Sequence, residues 1–185
     1  MLTNESKQLC HLFANLLNYP NPDMAGVAED CAREVEQSFP NLAGTMRTFA
    51  NFVKGQSLEA LEEFYTQTFD VTPASTLYVG YHLFGETPKR SAFLVKLEES
   101  YKACSFSGGT ELADHLGVVL RFLSDAQEPE FVLPLLEECL LPVLTKMGKE
   151  LTKNDNQYAL VTGPLRVFLQ HVSQQLVKTG GVPNA

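Results

Sequence analysis

Residues 110–125 read Thr-Glu-Leu-Ala-Asp-His-Leu-Gly-Val-Val-Leu-Arg-Phe-Leu-Ser-Asp, and this stretch indicates the fold of the chain most directly. Its apolar residues recur at the spacing of one face of an α-helix. They are Leu112, Leu116, Val119, Leu120 and Leu123. The pattern predicts a helix from Thr110 to about Asp125 whose apolar face lies in a core.

Three polar side chains stand near the start of this predicted helix: Glu111, Asp114 and His115. Residues three and four apart share one helix face, so the three are predicted to form one polar cluster at the surface. Two carboxylates and an imidazole suit general acid–base catalysis, metal binding or contact with a cationic partner. The structural alternative is that Glu111 and Asp114 only stabilise the positive end of the helix, with His115 partly buried beside them.

The rest of the chain repeats the helical pattern, and no convincing run of alternating residues predicts a strand. We predict further helices at residues 4–18, 23–39, 41–54, 57–70, 75–85, 88–104, 129–151 and 157–178. Ser57 is the predicted cap of the helix that it begins. Pro134, Pro142 and Gly163-Pro164 predict kinks or breaks in the last two helices. The predicted fold class is therefore all-α.

The length and composition predict one domain. A chain of 185 residues with 44% hydrophobic residues is long enough for one well-buried core and short for two. We expect a single-domain helical bundle at residues 1–178. Residues 179–185 are mostly small and turn-forming, and we expect them to form a flexible tail.

The charge and the motifs disfavour several classes of function. A net charge of −8 disfavours nucleic acid as a partner and favours basic partners. The cysteines and histidines form no zinc-binding pattern, and no glycine-rich phosphate loop is present. We therefore expect no metal and no cofactor in this chain. The apolar runs are too short to span a bilayer and the amino terminus has no secretory signal, so we expect a cytoplasmic protein without stable membrane insertion.

Several stretches, taken in order, resemble the TorD/NarJ family of cytoplasmic chaperones that assist the assembly of molybdopterin oxidoreductases. They are Leu16-Leu17-Asn18-Tyr19-Pro20, Tyr65-Thr66-Gln67-Thr68-Phe69-Asp70, residues 77–87 with Lys89-Arg90, and Glu111-Leu112-Ala113-Asp114-His115-Leu116. The patterns are most similar to the NarJ branch, the nitrate reductase assembly chaperones, whereas His115 is closer to the TorD branch.

The resemblance implies a single all-helical domain with no catalytic activity. It also implies binding of the amino-terminal, twin-arginine-like segment of a molybdopterin oxidoreductase catalytic subunit, which is held for cofactor insertion and assembly. The expected client is similar to nitrate reductase. The client, not this chain, would carry the molybdopterin cofactor.

A peptide-binding site follows from this expectation and from the residue types. Carboxylates accept the guanidinium of arginine in bidentate fashion, so Glu111 and Asp114 are the first predicted acceptors and Asp70 is the third. Apolar anchors of the peptide need a groove. The predicted lining of that groove is Tyr65, Phe69, Tyr78 and Tyr81, with His115 and Leu116 beside the acceptors.

Two other functions are open at this stage. The first is a helical adaptor that binds another basic amphipathic peptide. The second is a hydrolase in which Asp114 and His115 act as the base, although no nucleophile motif accompanies them. The sequence leaves open which enzyme is the client, whether it is exported, the oligomeric state, and whether His115 senses pH or packs against the peptide.

Overall fold

Capping and breaking residues set where the helices begin and end in the computed structural model, which describes residues 2–126 and 129–180. The hydroxyls of Thr3 and Ser57 each accept a hydrogen bond from the amide three residues on, so the predicted cap at Ser57 is confirmed. The helices are α1 Asn4–Leu16, α2 Met24–Ser38, α3 Ala43–Lys54, α4 Leu58–Tyr65, α5 Val79–Phe84, α6 Pro88–Ala103, α7 Leu116–Asp125, α8 Pro129–Pro134, α9 Leu141–Lys153 and α10 Ala159–Gly180. The described part of the chain contains no strand, which confirms the all-α prediction.

Two π-helical segments interrupt the regular helices. The first, Thr66–Asp70, continues α4, and the second, Leu135–Leu140, joins α8 to α9. The second follows Pro134 directly, where the sequence predicts a kink. Helix α10 continues through Pro164, so no break occurs there. The predicted tail lies outside the described residues from 181 onward, and residues 179–180 end α10.

Helix α7 begins at Leu116, so the prediction of a helix from Thr110 was wrong. The residues before it form a turn that bonds to a distant part of the chain. The amide of Val79 donates to the carbonyl of Asp114 at 2.8 Å, and the amide of Leu116 donates to the carbonyl of Leu77 at 2.8 Å. These bonds take backbone groups that another helical turn would use. The three polar residues of the predicted cluster therefore do not share one helix face.

The core is one continuous cluster of apolar side chains. Helix α1 packs against α2 and α7, α2 packs on α3, and α10 packs on α9 and α3. Phe13 of α1 stacks on Phe168 of α10 with ring centroids 5.9 Å apart. The predicted apolar face of α7 is buried except for Leu112, which is 47% exposed because it precedes the helix.

Within the described ranges, no helix is long and apolar enough to cross a membrane. The same residues contain no group of three histidine, cysteine or acidic side chains placed to hold a metal ion.

Removal of the Phe168 ring should destabilise the bundle. This ring is buried and contacts Phe13 and Phe39. The Phe168→Ala variant should lose about 3–5 kcal/mol of unfolding free energy, through lost burial and the cavity left behind. Urea denaturation measures the loss. The matched control is Val177→Ala on the same helix, which is 51% exposed and should change stability little.

Candidate functional site

A cavity of about 210 Å³ lies where the end of α1, the π-helical segment Thr66–Asp70 and the turn before α7 meet. Six of the nine predicted site residues line it: Tyr65, Phe69, Asp70, Tyr78, Glu111 and His115. The other lining residues are Asn18, Tyr19, Thr76, Leu77 and Arg121. The structure thus brings together residues that lie up to 103 positions apart, as Asn18 and Arg121 do.

Aromatic rings form one wall of the cavity. The hydroxyl of Tyr65 donates to the carbonyl of Leu17 at 3.1 Å, which fixes the ring to the end of α1. Phe69 and Tyr19 contact the same ring edge to face, with centroids 5.0 and 5.4 Å away. Burial raises the pKa of Tyr65, so this phenol stays neutral. Tyr65 and Phe69 are nearly fully buried, whereas the ring of Tyr19 is 52% exposed, so Tyr19 is the ring of this wall that a ligand can reach most readily.

Two carboxylates carry the negative charge of the cavity. The hydroxyl of Tyr78 donates to Oε1 of Glu111 at 3.0 Å, while Asp70 is exposed at the other side. Partial burial and the charge of Glu111 both raise the pKa of Asp70. Burial and the bond to Glu111 raise the pKa of Tyr78 to about 12. A cation placed between the carboxylates would relieve their mutual repulsion.

The one cation among the lining residues is Arg121 of α7. Its Nη1 donates to Oδ1 of Asn18 at 3.3 Å. This bond joins α7 to the end of α1 and leaves the carboxylates of Glu111 and Asp70 without a salt bridge to any described residue. The cavity therefore has an excess of acceptors.

Asp114 lies beneath the cavity and does not line it. Its carboxylate is fully buried and accepts from Arg90, Nε to Oδ2 at 3.0 Å and Nη2 to Oδ1 at 3.4 Å. The amide of Gly80 donates to Oδ2 as well, at 3.2 Å. The guanidinium of Arg90 also lies over the ring of Tyr78, 5.4 Å from its centroid. Contact between Asp114 and a peptide arginine stays a prediction, because such an arginine would have to displace Arg90.

His115 caps α7 and packs on the cavity wall. Its Nδ1 accepts from the amide of Gly117 at 3.2 Å, which assigns the proton of the neutral ring to Nε2. Its ring contacts Tyr78 edge to face at 5.6 Å. Burial lowers the pKa of His115, and the nearby charges of Glu111 and Asp114 oppose this. The imidazole therefore serves in its neutral form at neutral pH.

The remaining two predicted residues lie elsewhere. Tyr81 is half-buried on α5 with its ring beside His82, and Leu116 is fully buried in the core. The sequence does not predict the other five lining residues, which are Asn18, Tyr19, Thr76, Leu77 and Arg121. Asn18 and Tyr19 stand in the motif Leu16-Leu17-Asn18-Tyr19-Pro20, but their place in the cavity depends on how α1 ends against α7.

Comparison with known proteins gives two findings. The profile of the family described as nitrate reductase delta subunit matches residues 31–139. The chain is also 30% identical over 129 residues to the nitrate reductase-like protein NarX of Mycobacterium tuberculosis, in strains CDC 1551 / Oshkosh and ATCC 25618 / H37Rv. The alignment covers 69% of this chain and 19% of each relative, so the chain spans about a fifth of those proteins.

Replacement of Gly80 should disturb the buried carboxylate. A Cβ at this position would lie 2.7 Å from Oδ2 of Asp114 and 3.0 Å from Phe93. Gly80→Ala should therefore cost about 1–3 kcal/mol despite the higher helix propensity of alanine. Thermal denaturation measures the effect. Gly26→Ala is the matched control, because a Cβ there meets nothing within 4 Å on α2 and should stabilise slightly. Equal shifts in the two variants would contradict the close packing at Gly80.

Buried His115 should make folding stability depend on pH. Its pKa in the folded state lies below the ordinary value of 6.5, so the unfolded chain binds the proton first as pH falls. The stabilisation is complete above about pH 7 and is lost as pH falls through 6.5 to the lower folded value.

The measurement is urea denaturation between pH 7.5 and 5. His115→Asn keeps a capping side chain but cannot titrate, so its stability should fall less over this range. Burial also lowers the pKa of His82. This shift changes the stability of the wild type and of the variant equally, so it cancels in the comparison. Identical slopes in wild type and variant would contradict the role assigned to His115.

Proposed function

Because the chain belongs to the nitrate reductase delta subunit family, whose members are molybdoenzyme assembly chaperones, we propose that it binds the amino-terminal segment of a molybdopterin oxidoreductase catalytic subunit. It holds that segment while the cofactor is inserted and the enzyme is assembled. The likeness to a nitrate reductase-like protein favours a client of the nitrate reductase type. It does this work in the cytoplasm, where the client is made.

The observation that supports peptide binding is the cavity in which Glu111 and Asp70 face aromatic rings. A guanidinium entering it would meet two carboxylates and could lie against the ring of Tyr19, which lines the cavity and is 52% exposed. Arginine matches both features, because its planar fork donates hydrogen bonds to carboxylates at its edge and stacks on aromatic rings through its face. The excess of negative charge selects a basic segment over an acidic one.

The affinity should be moderate. Hydrogen bonds to charged groups contribute about 1.5–3 kcal/mol each before the cost of ordering the peptide. Both carboxylates are at or near the surface, where water and salt weaken the attraction. Such binding is reversible, and a chaperone must release its client when assembly is complete.

The geometry gives the hydrolase alternative no support. A catalytic pair would need the carboxylate of Asp114 to orient the ring of His115. That carboxylate instead accepts from Arg90 and Gly80, and Nδ1 of His115 accepts from Gly117. An adaptor for another basic peptide uses the same cavity and differs only in its partner. The choice of peptide in the experiment decides between it and the chaperone.

The test uses the absence of tryptophan from this chain. A tryptophan-bearing peptide copied from the amino terminus of a candidate catalytic subunit is titrated with the protein, and its fluorescence is followed. The Asp70→Asn/Glu111→Gln double variant keeps the size of both side chains and removes their charges. We expect it to weaken binding by about 10–100-fold, because two charge-assisted contacts become neutral ones.

The matched control is the Asp30→Asn/Glu98→Gln double variant. It changes the net charge by the same amount at exposed positions on α2 and α6 that do not line the cavity. It should bind like the wild type apart from a small long-range effect. Equal weakening in both double variants would assign binding to net charge and reject the cavity. Tight binding of unrelated basic peptides would favour the adaptor.

A further inference from the structure

A groove of about 680 Å³ lies between α9 and α10 and shares no lining residue with the candidate site. Its lining residues recur three or four positions apart, so they follow one face of each helix. On α9 the series extends from Leu144 to Lys153, and on α10 it consists of Ala159, Thr162, Gly163 and Arg166. The groove therefore follows both helices for about two turns.

Small and apolar groups form the floor of this groove. Leu144 is buried, and Gly148 and Gly163 have no side chain. A Cβ on Gly163 would meet nothing within 4 Å, and a Cβ on Gly148 would meet only Oγ1 of Thr162, at 4.0 Å. No side chain fills the middle of the groove at these glycines, so a docked helix can approach α9 and α10 closely.

The charged residues of the lining are all cations: Lys149, Lys153 and Arg166. Acidic residues outnumber basic ones by 22 to 14 in this chain, yet none of the described residues that line the groove is acidic. The two lysines stand four positions apart on one helix face, where like charges repel. Within the described ranges, none of the three cations forms a salt bridge.

The chain supplies few carboxylates that could neutralise these cations. Helix α10 contains no acidic residue, and α9 contains only Glu150. Glu150 does not line the groove, and its Oε1 accepts from Nδ2 of Asn154 at 2.9 Å. On α2 and α3, by contrast, three exposed cations each contact a carboxylate: Arg33, Arg47 and Lys54. The positive charge of the groove is thus complementary to the carboxylates of a partner.

The groove is poorly suited to a phosphate group. Phosphates bind most readily to free amides at the start of a helix. The amides of residues 159–162, in the first turn of α10, all donate to backbone carbonyls of residues 156–158. Only side chains at the rim remain as donors, above an apolar floor. This combination suits a helix that carries carboxylates beside an apolar face.

We propose that the groove between α9 and α10 is a docking surface for an acidic amphipathic helix of a partner protein. The apolar face of that helix lies on the floor, with side chains spaced at i, i+3, i+4 and i+7. Its flanking carboxylates contact Lys149 and Lys153 on one rim and Arg166 on the other. The inference is independent of the proposed function, because it concerns a second surface of opposite charge.

The experiment uses three helical peptides of about 18 residues, or five turns, that share one leucine face and carry one tryptophan each. The residues that flank the leucine face are glutamate in the first peptide, glutamine in the second and lysine in the third. Each peptide is titrated with the full chain, which has no tryptophan, and the peptide fluorescence is followed.

Two variants test the two features of the groove. Lys149→Gln/Lys153→Gln removes charge from one rim. Its matched control, Lys96→Gln/Lys102→Gln, removes the same charge at exposed positions on α6. Gly148→Met places a side chain over the floor and has a higher helix propensity than glycine, so this variant should fold. Urea denaturation checks that each variant keeps its stability.

We expect the glutamate peptide to bind more tightly than the other two, and its advantage should shrink at high salt. Lys149→Gln/Lys153→Gln should weaken its binding by about three- to tenfold, because two charged contacts are lost, whereas the control on α6 should bind like the wild type. Gly148→Met should weaken the glutamate and glutamine peptides alike, because it blocks the leucine face that they share.

Two results would overturn the docking surface and leave the proposed function standing. The first is equal binding of the glutamate peptide by Lys149→Gln/Lys153→Gln and by the control on α6. The second is binding that Gly148→Met does not change, which would reject the floor as the contact.

Two further results would replace the partner helix by another occupant. If the wild type sediments as a dimer and Gly148→Met as a monomer, the groove holds a second copy of this chain. If calorimetry shows binding of inorganic pyrophosphate that Lys149→Gln/Lys153→Gln abolishes, and the glutamate peptide does not bind, the groove holds a phosphate anion. Either result would overturn the proposal.

Discussion

The buried pair between Asp114 and Arg90 is the interaction on which the candidate site depends. It joins three elements: Arg90 from the first turn of α6, Gly80 from α5, and the turn that precedes α7. Removal of one partner from such a pair leaves an uncompensated charge and costs about 3–5 kcal/mol, although the pair itself adds little net stability. The pair matters here for geometry more than for stability, because the contacts of Asp114 with both Arg90 and Gly80 fix how the three elements are arranged.

That arrangement fixes the groups that face the cavity. The backbone around Asp114 bonds to residues 77–79, which places Tyr78 opposite His115 as an isolated antiparallel bridge. The hydroxyl of Tyr78 then reaches Glu111, and the guanidinium of Arg90 supports the same ring from the other direction. The cavity is thus built by a buried charge pair whose own members do not line it. A fixed geometry of this kind favours binding in a preformed site over binding that must first order the chain.

The sequence predicts much of the fold and less of the site, for a physical reason. Helix positions follow from local signals, such as the capping hydroxyl of Ser57 and the apolar spacing along α7. The turn at residues 111–115 does not follow from local signals, because its long-range backbone partners lie more than thirty positions earlier in the chain. Local helical spacing grouped Asp114 with Glu111, whereas the long-range bonds bury one carboxylate and expose the other.

The same reasoning explains which site residues were found. Tyr65, Phe69, Asp70, Tyr78, Glu111 and His115 belong to motifs with unusual combinations of aromatic and acidic residues, and these six do line the cavity. Asn18, Tyr19 and Arg121 gain their positions in the cavity only from packing between helices distant in sequence.

The two carboxylates of the cavity bear on its selectivity. Partial burial and the charge of Glu111 both raise the pKa of Asp70. A cation bound between the two carboxylates offsets the repulsion between them, so it gains more there than beside a single exposed carboxylate elsewhere on the surface. The cavity should therefore discriminate in favour of segments that present a cation.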